Sequence, residues 1–327
     1  MLLVTNGDIA VDRIEQAGIG GELLPWRDVL HEGPIPSDLP LDKMREVRAR
    51  YIAEQGWDDF EAVIGDFTRR DATLDGFRDH EEVVLWFEHD LYDQLQLIQL
   101  LDWFSRRDLG ATRLSMICVA EYLGNSEPDR LRTLFEDRDE VSARALDLGH
   151  EAWRAFTSTD PTRISTLLRE GTSALPFLKS AMLRHLQQFP STKNGLSRSE
   201  TQALEAISEG RIVLHEAFAS SQELEERIFL GDTVFAGYLE GLSRGNEPLV
   251  LLEDGGMIEA PGTTGSAADF WNRRAIVTDT GRAVLQGQKD WIEINGIDRW
   301  LGGVHLSGSE AEWRWDEPTQ QLQRTAA

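Results

Sequence analysis

The sequence predicts an α/β protein. A parallel-sheet, Rossmann-like domain occupies residues 1–125, a helical region 126–190, and a winged-helix-like domain with a Trp-rich tail 191–327. Three observations predict it. In the first third, short apolar runs bounded by Gly, Asn or charged residues alternate with amphipathic stretches; a purely helical pattern follows; then three more helical stretches lead into a hairpin pattern. Strands separated by helices pair in parallel with both sheet faces covered, and three helices followed by a hairpin describe a winged helix.

"LLVT" at 2–5, bounded by Asn6 and Gly7, reads as a buried strand. Asp8 can cap the next helix, whose apolar positions Ile9, Val11, Ile14 and Ala17 run to a stop at Gly18. "ELLPW" at 22–26 is the second strand, and Pro25, which cannot donate a ladder hydrogen bond, is tolerable near its end. The loop "RDVLHEGPIPSDLP" leads to helices at about 41–54 and 57–69. "EVVLWF" is the third strand, "LYDQLQLIQLLDWFSRR" an amphipathic helix with Leu91, Leu95, Ile98 and Leu101 on one face, and "RLSMICVA" the fourth strand.

Three helices are expected between Glu127 and about Gln188, and "PSTKNG" reads as a linker. Ser197 and Glu200 form a capping box for "LSRSETQALEAISEG", "HEAFASSQELEERIF" and "DTVFAGYLEGL" continue as helices, and "EPLVLLED", a Gly-rich stretch and "RRAIVT" make the hairpin. Asp279 starts a short helix. In the tail, Trp313 and Trp315 fall on one face by period two, which fits a strand pair burying large side chains or a cover over the crevice described below.

Asp and Glu outnumber Lys and Arg, 57 to 33, for a formal charge of −24, which repels nucleic acid and anionic membranes at long range. The helix in the recognition position of the winged helix, 232–242, carries Asp232 and Glu240 and no Lys or Arg, whereas groove readout and phosphate contact need cations or amides. Nucleic acid is therefore a disfavoured partner, with Arg244, Arg273, Arg274 and Arg282 near the wing as the nearest cations. Cys118 is the single cysteine, so no intrachain disulfide forms, and its apolar setting suggests an inert buried thiol. With no leader-like start and no window near ~18 uninterrupted apolar residues, the expectation is a cytoplasmic protein that does not span a membrane.

In an open parallel sheet every strand delivers its carboxyl end to one edge, where ligand crevices form. Strand one ends at Asn6, Gly7 and Asp8; strand two at Arg27, Asp28, His31 and Glu32; strand three at Glu88, His89, Asp90 and Asp93; strand four at Glu121 and Asn125. Clustered carboxylates must share protons or a cation, and histidines among them carry protons near neutral pH or ligate metals. Glu88, His89, Asp8 and His31 are the candidate catalytic groups, Asn6, Gly7, Arg27, Asp28, Glu32 and Gln94 the candidate substrate-binding groups, and Asp8 with Asp90 the candidate metal ligands. A divalent ion is the cofactor such oxygen donors would take, and Arg27 suits a phosphate or carboxylate. Simpler roles stand beside these. Asp8 and Asp90 suit helix N-caps, Asp93 suits a first helical turn, the histidines suit hydrogen-bonded core positions, and Glu88 suits a pair with Arg27. P-loop, Gly-x-Gly-x-x-Gly, Ser-elbow and Cys/His metal patterns are missing from the sequence.

"TNGD", "LPWRDVLHEGP" and "LWFEHDLYDQLQL", in that order, resemble the bacterial family catalogued as domain of unknown function 1835, over roughly residues 2–125. The resemblance implies that Asn6, Gly7, Asp8, Trp26, Arg27, Asp28, His31, Glu32, Gly33, Pro34, Glu88, His89, Asp90, Asp93 and Gln94 occupy signature positions. It implies no reaction. The residues point to a hydrolase or transferase acting on a phosphate- or nucleotide-containing small molecule. The alternatives are a ligand-sensing regulator whose winged-helix region contacts a protein or DNA, and an interaction module with a structural acidic cluster.

Overall fold

The protein's structure, a computed structural model, describes residues 1–262 and 267–325; residues 263–266, part of the expected Gly-rich stretch, and 326–327 lie outside the described residues. The chain runs β1 (Leu2–Thr5), α1 (Asp8–Gln16), β2 (Glu22–Pro25), β3 (Gly33–Pro34), α2 (Leu41–Glu54), α3 (Phe60–Asp75), β4 (Glu82–Phe87), α4 (Leu91–Ser105), β5 (Arg113–Cys118), α5 (Pro128–Glu136), β6 (Asp139–Glu140), α6 (Ala143–Phe156), α7 (Thr162–Glu170) and α8 (Leu178–Leu186). It continues through α9 (Arg198–Ser208), α10 (Leu214–Glu223), α11 (Asp232–Ser243), β7 (Val250–Leu252), α12 (Ala267–Trp271), β8 (Ala275–Val277), α13 (Asp279–Leu285), α14 (Trp291–Asn295), β9 (Ile297–Gly302), β10 (Val304–Gly308), β11 (Trp313–Asp316) and β12 (Gln321–Arg324).

A five-stranded sheet in the order β2-β1-β4-β5-β6 organises the N-terminal half; its first four strands are parallel and β6 is antiparallel to β5. The period-two alternation of the strands sorts their side chains onto two faces. Leu2, Val4, Val83, Leu85 and Phe87 join the main core with Leu95 and Ile98 of α4 and Leu148 of α6. Leu3, Val84 and Trp86 meet Ala10 and Ile14 of α1 and Leu131 of α5 on the other face. Each such side chain contributes ~1.5–3 kcal/mol on full burial, which makes β1 and β4 the anchored centre of the sheet. Glu82, buried at the start of β4, is matched by Arg138, Arg113 and Ser115, and the Arg138 guanidinium holds its carboxyl well below the usual carboxylate range.

Local chemistry moves several boundaries from their expected places. α3 starts at Phe60 because the Asp59 side chain accepts hydrogen bonds from the Glu61 and Ala62 amides. Gly7, not Asp8, is the N-cap of α1, so the Asp8 carboxylate is free to turn to Arg27. α10 stops at Glu223, short of the stretch expected to be helical, and 224–231 runs as irregular backbone. The capping box of Ser197 and Glu200 forms as expected.

The second half of the chain packs on the first. α9, α10 and α11 are followed by the antiparallel pair β7–β8, and Val213 bridges to Arg274 beside it. The expected linker at 190–195 is tied down: Ser191 bridges to Trp315, the Thr192 amide donates to the Trp315 carbonyl at 2.9 Å, and Asn194 is buried. The tail folds as the hairpins β9–β10 and β11–β12, and β9 pairs in parallel with β3, joining residues 33–34 to 301–302. Gly33 permits that crossing; its φ of 79° and the Tyr51 ring against its α-carbon leave no room for a side chain. One continuous apolar core runs from Leu2 to Trp315. Among the described residues, no helix is long and apolar enough to cross a membrane.

Gly149 sets the α4–α6 spacing, since a Cβ there would overlap Leu101 of α4. Gly→Ala inside a helix normally stabilises by ~0.5–1 kcal/mol. Here overpacking reverses the sign, and Gly149→Ala lowers stability by about 1–3 kcal/mol in urea unfolding. An unchanged or raised midpoint would show that the two helices separate freely.

Candidate functional site

From β1 the chain crosses to one side to form β2 and later to the other to form β4, so the gap between the carboxyl ends of β1 and β4 is a topological switch point. Two segments meet there. Asn6 and Gly7 leave β1 for α1, and Glu88, His89 and Asp90 leave β4 for α4. Asp90 is the N-cap of α4, its carboxylate accepting the Asp93 amide at 3.2 Å. That cap turns Asp93, in the first turn, back over the strand ends.

Asp93 is the hub. The Asn6 side-chain amide donates to both its carboxylate oxygens, at 3.0 and 2.8 Å, and the Glu88 amide donates to Oδ1 at 2.7 Å. Glu88 Oε1 accepts the Leu123 amide at 2.8 Å, and Gln94 Nε2 donates to the Glu88 carbonyl at 2.7 Å and points to Cys118 Sγ. Oxygens of Glu88, Asp90 and Asp93 all lie within 4.8 Å of one another, and the three residues are 6%, 3% and 1% exposed. Among the described residues their hydrogen-bond donors are amides, with no Lys or Arg.

Three carboxylates at that spacing cannot all stay charged without help, since each like pair costs roughly 3–4 kcal/mol at an effective dielectric of ~20. Burial pushes all three upward. Asp90 is raised to about 7 by burial and then by the Glu88 charge, Asp93 is raised well above its ordinary value by burial and then by Asp90, and Glu88 is raised by burial against the opposing Leu123 hydrogen bond. The cluster therefore either shares protons near neutral pH or holds a cation.

The other candidate residues surround this centre or lie elsewhere. Asp8 stands on the rim in an exposed ion pair with Arg27, whose guanidinium lowers the Asp8 pKa, and it is outside the carboxyl cluster. Arg27 also lines a hollow of about 170 Å3 with Asp28, Phe67, Arg70 and Tyr92. Asp28 is committed to Arg48 in a buried pair with contacts of 2.8 and 3.0 Å. The His31 ring is packed edge-on to Tyr92 and Phe229, with both nitrogens unpartnered among the described residues, and burial lowers its pKa to about 3. The His89 ring meets Tyr122 at 5.0 Å and Phe177 at 5.9 Å; its Nδ1 is unpartnered, and burial followed by Arg227 lowers its pKa. Glu32 accepts hydrogen bonds from Tyr238 and Arg299 and faces a different cavity.

A cover closes over the edge from the second half of the chain. Tyr122 donates its hydroxyl hydrogen to the Ile228 carbonyl at 3.1 Å, Arg227 donates to the His89 carbonyl at 3.4 Å, and Phe229 packs on His31. Sequence reasoning placed Asp93 among the charged groups at this strand end and among the positions the resemblance marks, but gave it a helix-dipole role and left it out of the candidate catalytic, binding and metal residues. Arg48, Tyr238 and Arg299 carried no signal, being 20, 206 and 267 residues from the groups they bind.

The raised carboxyls fix a sign. A group whose pKa is higher folded than unfolded contributes stability below its unfolded value and loses it as pH rises through its folded value. For Asp90 the loss runs from about pH 4 to about 7. His31 and His185, both lowered to about 3, act oppositely below about pH 6.5. The diagnostic quantity is therefore the difference between Asp90→Asn and the parent. Relative to the variant, the parent loses on the order of 3 kcal/mol of urea-unfolding stability between pH 5 and pH 8. Parallel pH profiles would mean that Asp90 is ionised throughout.

No protein-family model matches this chain, and no curated protein matches it either.

Proposed function

We propose that the protein is a metal-assisted hydrolase or transferase acting on a phosphate- or nucleotide-containing small molecule at the carboxyl edge of a Rossmann-like sheet. The observation that carries this reading is the buried set of Glu88, Asp90 and Asp93, within 4.8 Å at the switch point and, among the described residues, without a basic partner. A purely structural cluster would be expected to carry matching arginines, as Glu82 and Asp28 do.

The donor set is all oxygen, which suits Mg2+ or Mn2+ better than a nitrogen- or sulfur-seeking ion. Glu88, Asp90 and Asp93 would hold the ion, which when bound neutralises phosphate charge and lowers the pKa of a water nucleophile. The chain's own groups then divide the remaining work. Asn6 fixes the Asp93 carboxylate, and Gln94 fixes the Glu88 backbone. His89, kept neutral, can receive a proton. Arg27, bordering the small hollow, suits the anionic end of a substrate once it leaves Asp8, and α1 begins without a side-chain cap, with amides open to an anion.

Metal binding should compete with protons. At pH 8, Mg2+ or Mn2+ raises the melting temperature by about 5 °C at ~100 times Kd, and by less at pH 5.5. Glu88→Gln and Asp93→Asn abolish the response while Asp8→Asn keeps it. Absence of any shift with millimolar Mg2+, Mn2+ or Zn2+ removes the metal from the proposal.

A second reading, a ligand-sensing regulator, is favoured by three contacts. The order α9-α10-α11-β7-β8, with Val213 bridging to Arg274, suits a winged helix, and the segment entering its third helix touches His31, His89 and Tyr122. α11 lacks Lys and Arg and buries Val234, Phe235, Tyr238 and Leu239, so a protein is a better partner than DNA. Anisotropy with mixed-sequence duplex DNA in 20 mM salt should therefore show no binding, and saturable binding there would restore the DNA-reading alternative.

A further inference from the structure

Between α2, α11 and β9 lies a cavity of about 680 Å3, within the ~300–1,000 Å3 range of small-molecule sites. It is distinct from the carboxyl cluster, none of whose members lines it. Two of its walls are aromatic. Tyr51 and Trp57 form an edge-to-face pair at 5.7 Å on the α2 side, and on the β9 side Trp300 stacks against His305 at 4.4 Å.

Its polar lining is one-sided. Glu32, Glu46, Glu54, Glu200, Glu240 and Asp298 contribute carboxylates, against the guanidiniums of Arg50 and Arg299. Arg299 is shared by Glu32 at 2.9 Å and Glu200 at 3.8 Å, Lys43 takes Glu46, and Arg244 takes Glu240. Glu54 has no ion pair among the described residues. The Glu32 side chain is only 7% exposed, and both its donors, Tyr238 and Arg299, bind Oε1. Among the described residues Oε2 accepts no hydrogen bond, so a nine-tenths buried carboxylate keeps an open acceptor in the cavity wall.

An anion would meet this excess of carboxylates, and a neutral ligand would leave the charge of Glu54 uncompensated even where it donates a hydrogen bond to Glu32. A cation satisfies that oxygen and gains from the faces of Trp and Tyr. We propose that this cavity binds a small organic cation carrying at least two ammonium or guanidinium groups, with Glu32 and Glu54 as its anionic contacts and Trp57 and Trp300 as its aromatic walls. This inference is independent of the reaction proposed above. The cavity draws on the loop after β2, on α11 and on the tail, so its ligand holds the two halves of the chain together.

Isothermal titration of the full chain in 150 mM NaCl, with spermidine, agmatine, choline and ATP, tests it. The expected result is one saturable site for spermidine or agmatine, at least tenfold tighter than for monovalent choline, and none for ATP. Glu54→Gln and Trp300→Ala weaken it at least threefold and Glu32→Gln at least tenfold, while Glu15→Gln, an exposed charge on α1, leaves it unchanged. Glu32→Gln also removes a partner of Arg299, so Glu54→Gln and Trp300→Ala carry the test if that variant unfolds. Three results would overturn the proposal: no saturable binding of either polyvalent cation, equal weakening by Glu15→Gln, which is attraction to an acidic surface, or insensitivity to all three cavity substitutions.

Discussion

The hydrogen bonds from Asn6 to both oxygens of Asp93 tie the end of β1 to the start of α4, and the geometry of the site depends on that link. β1 is buried on both faces and paired on both edges, so its carboxyl end has little freedom to move. Asn6 passes that rigidity to Asp93, and Asp93 passes it to the Glu88 amide and the Asp90 cap. A carboxyl cluster held this way keeps its spacing in spite of mutual repulsion, as a site must if it is to bind a cation or share a proton without rearranging.

The protein buries many acids, and their company differs. Asp28 has Arg48, Asp71 has Arg70 and Arg45, Glu82 has Arg138 and Arg113, Glu225 has Arg184, and Glu32 has Arg299. Removing one partner of such a pair typically costs about 3–5 kcal/mol because the other charge is left buried, so each is a fixed structural unit. Glu88, Asp90 and Asp93 have one another and a few amides. The sequence makes no distinction between these two kinds of acid, and the structure separates them by where the arginines go.

The second half of the chain closes against the first. β9 adds to β3, Arg299 and Tyr238 close on Glu32, and residues 227–229 lie over His31 and His89. Residues 227–229, between α10 and α11, thus lie over the strand ends beside the carboxyl cluster.

Much of this was readable from the chain alone. Apolar runs separated by helical periodicity determined the parallel strands β1, β2, β4 and β5, and the parallel arrangement determined that Asn6 and Glu88 to Asp93 would share one edge, because burial and period are local properties of sequence. Capping chemistry was equally local for Ser197 and Asp90. Tertiary structure decided the rest. It sent Asp8 out to Arg27, committed Asp28 to Arg48, enclosed His31 in aromatic rings, and drew Glu32 toward Tyr238 and Arg299. Those outcomes depend on which oppositely charged group arrives from tens or hundreds of residues away, and charge pairing, unlike hydrophobic period, leaves no trace in the spacing of neighbouring residues.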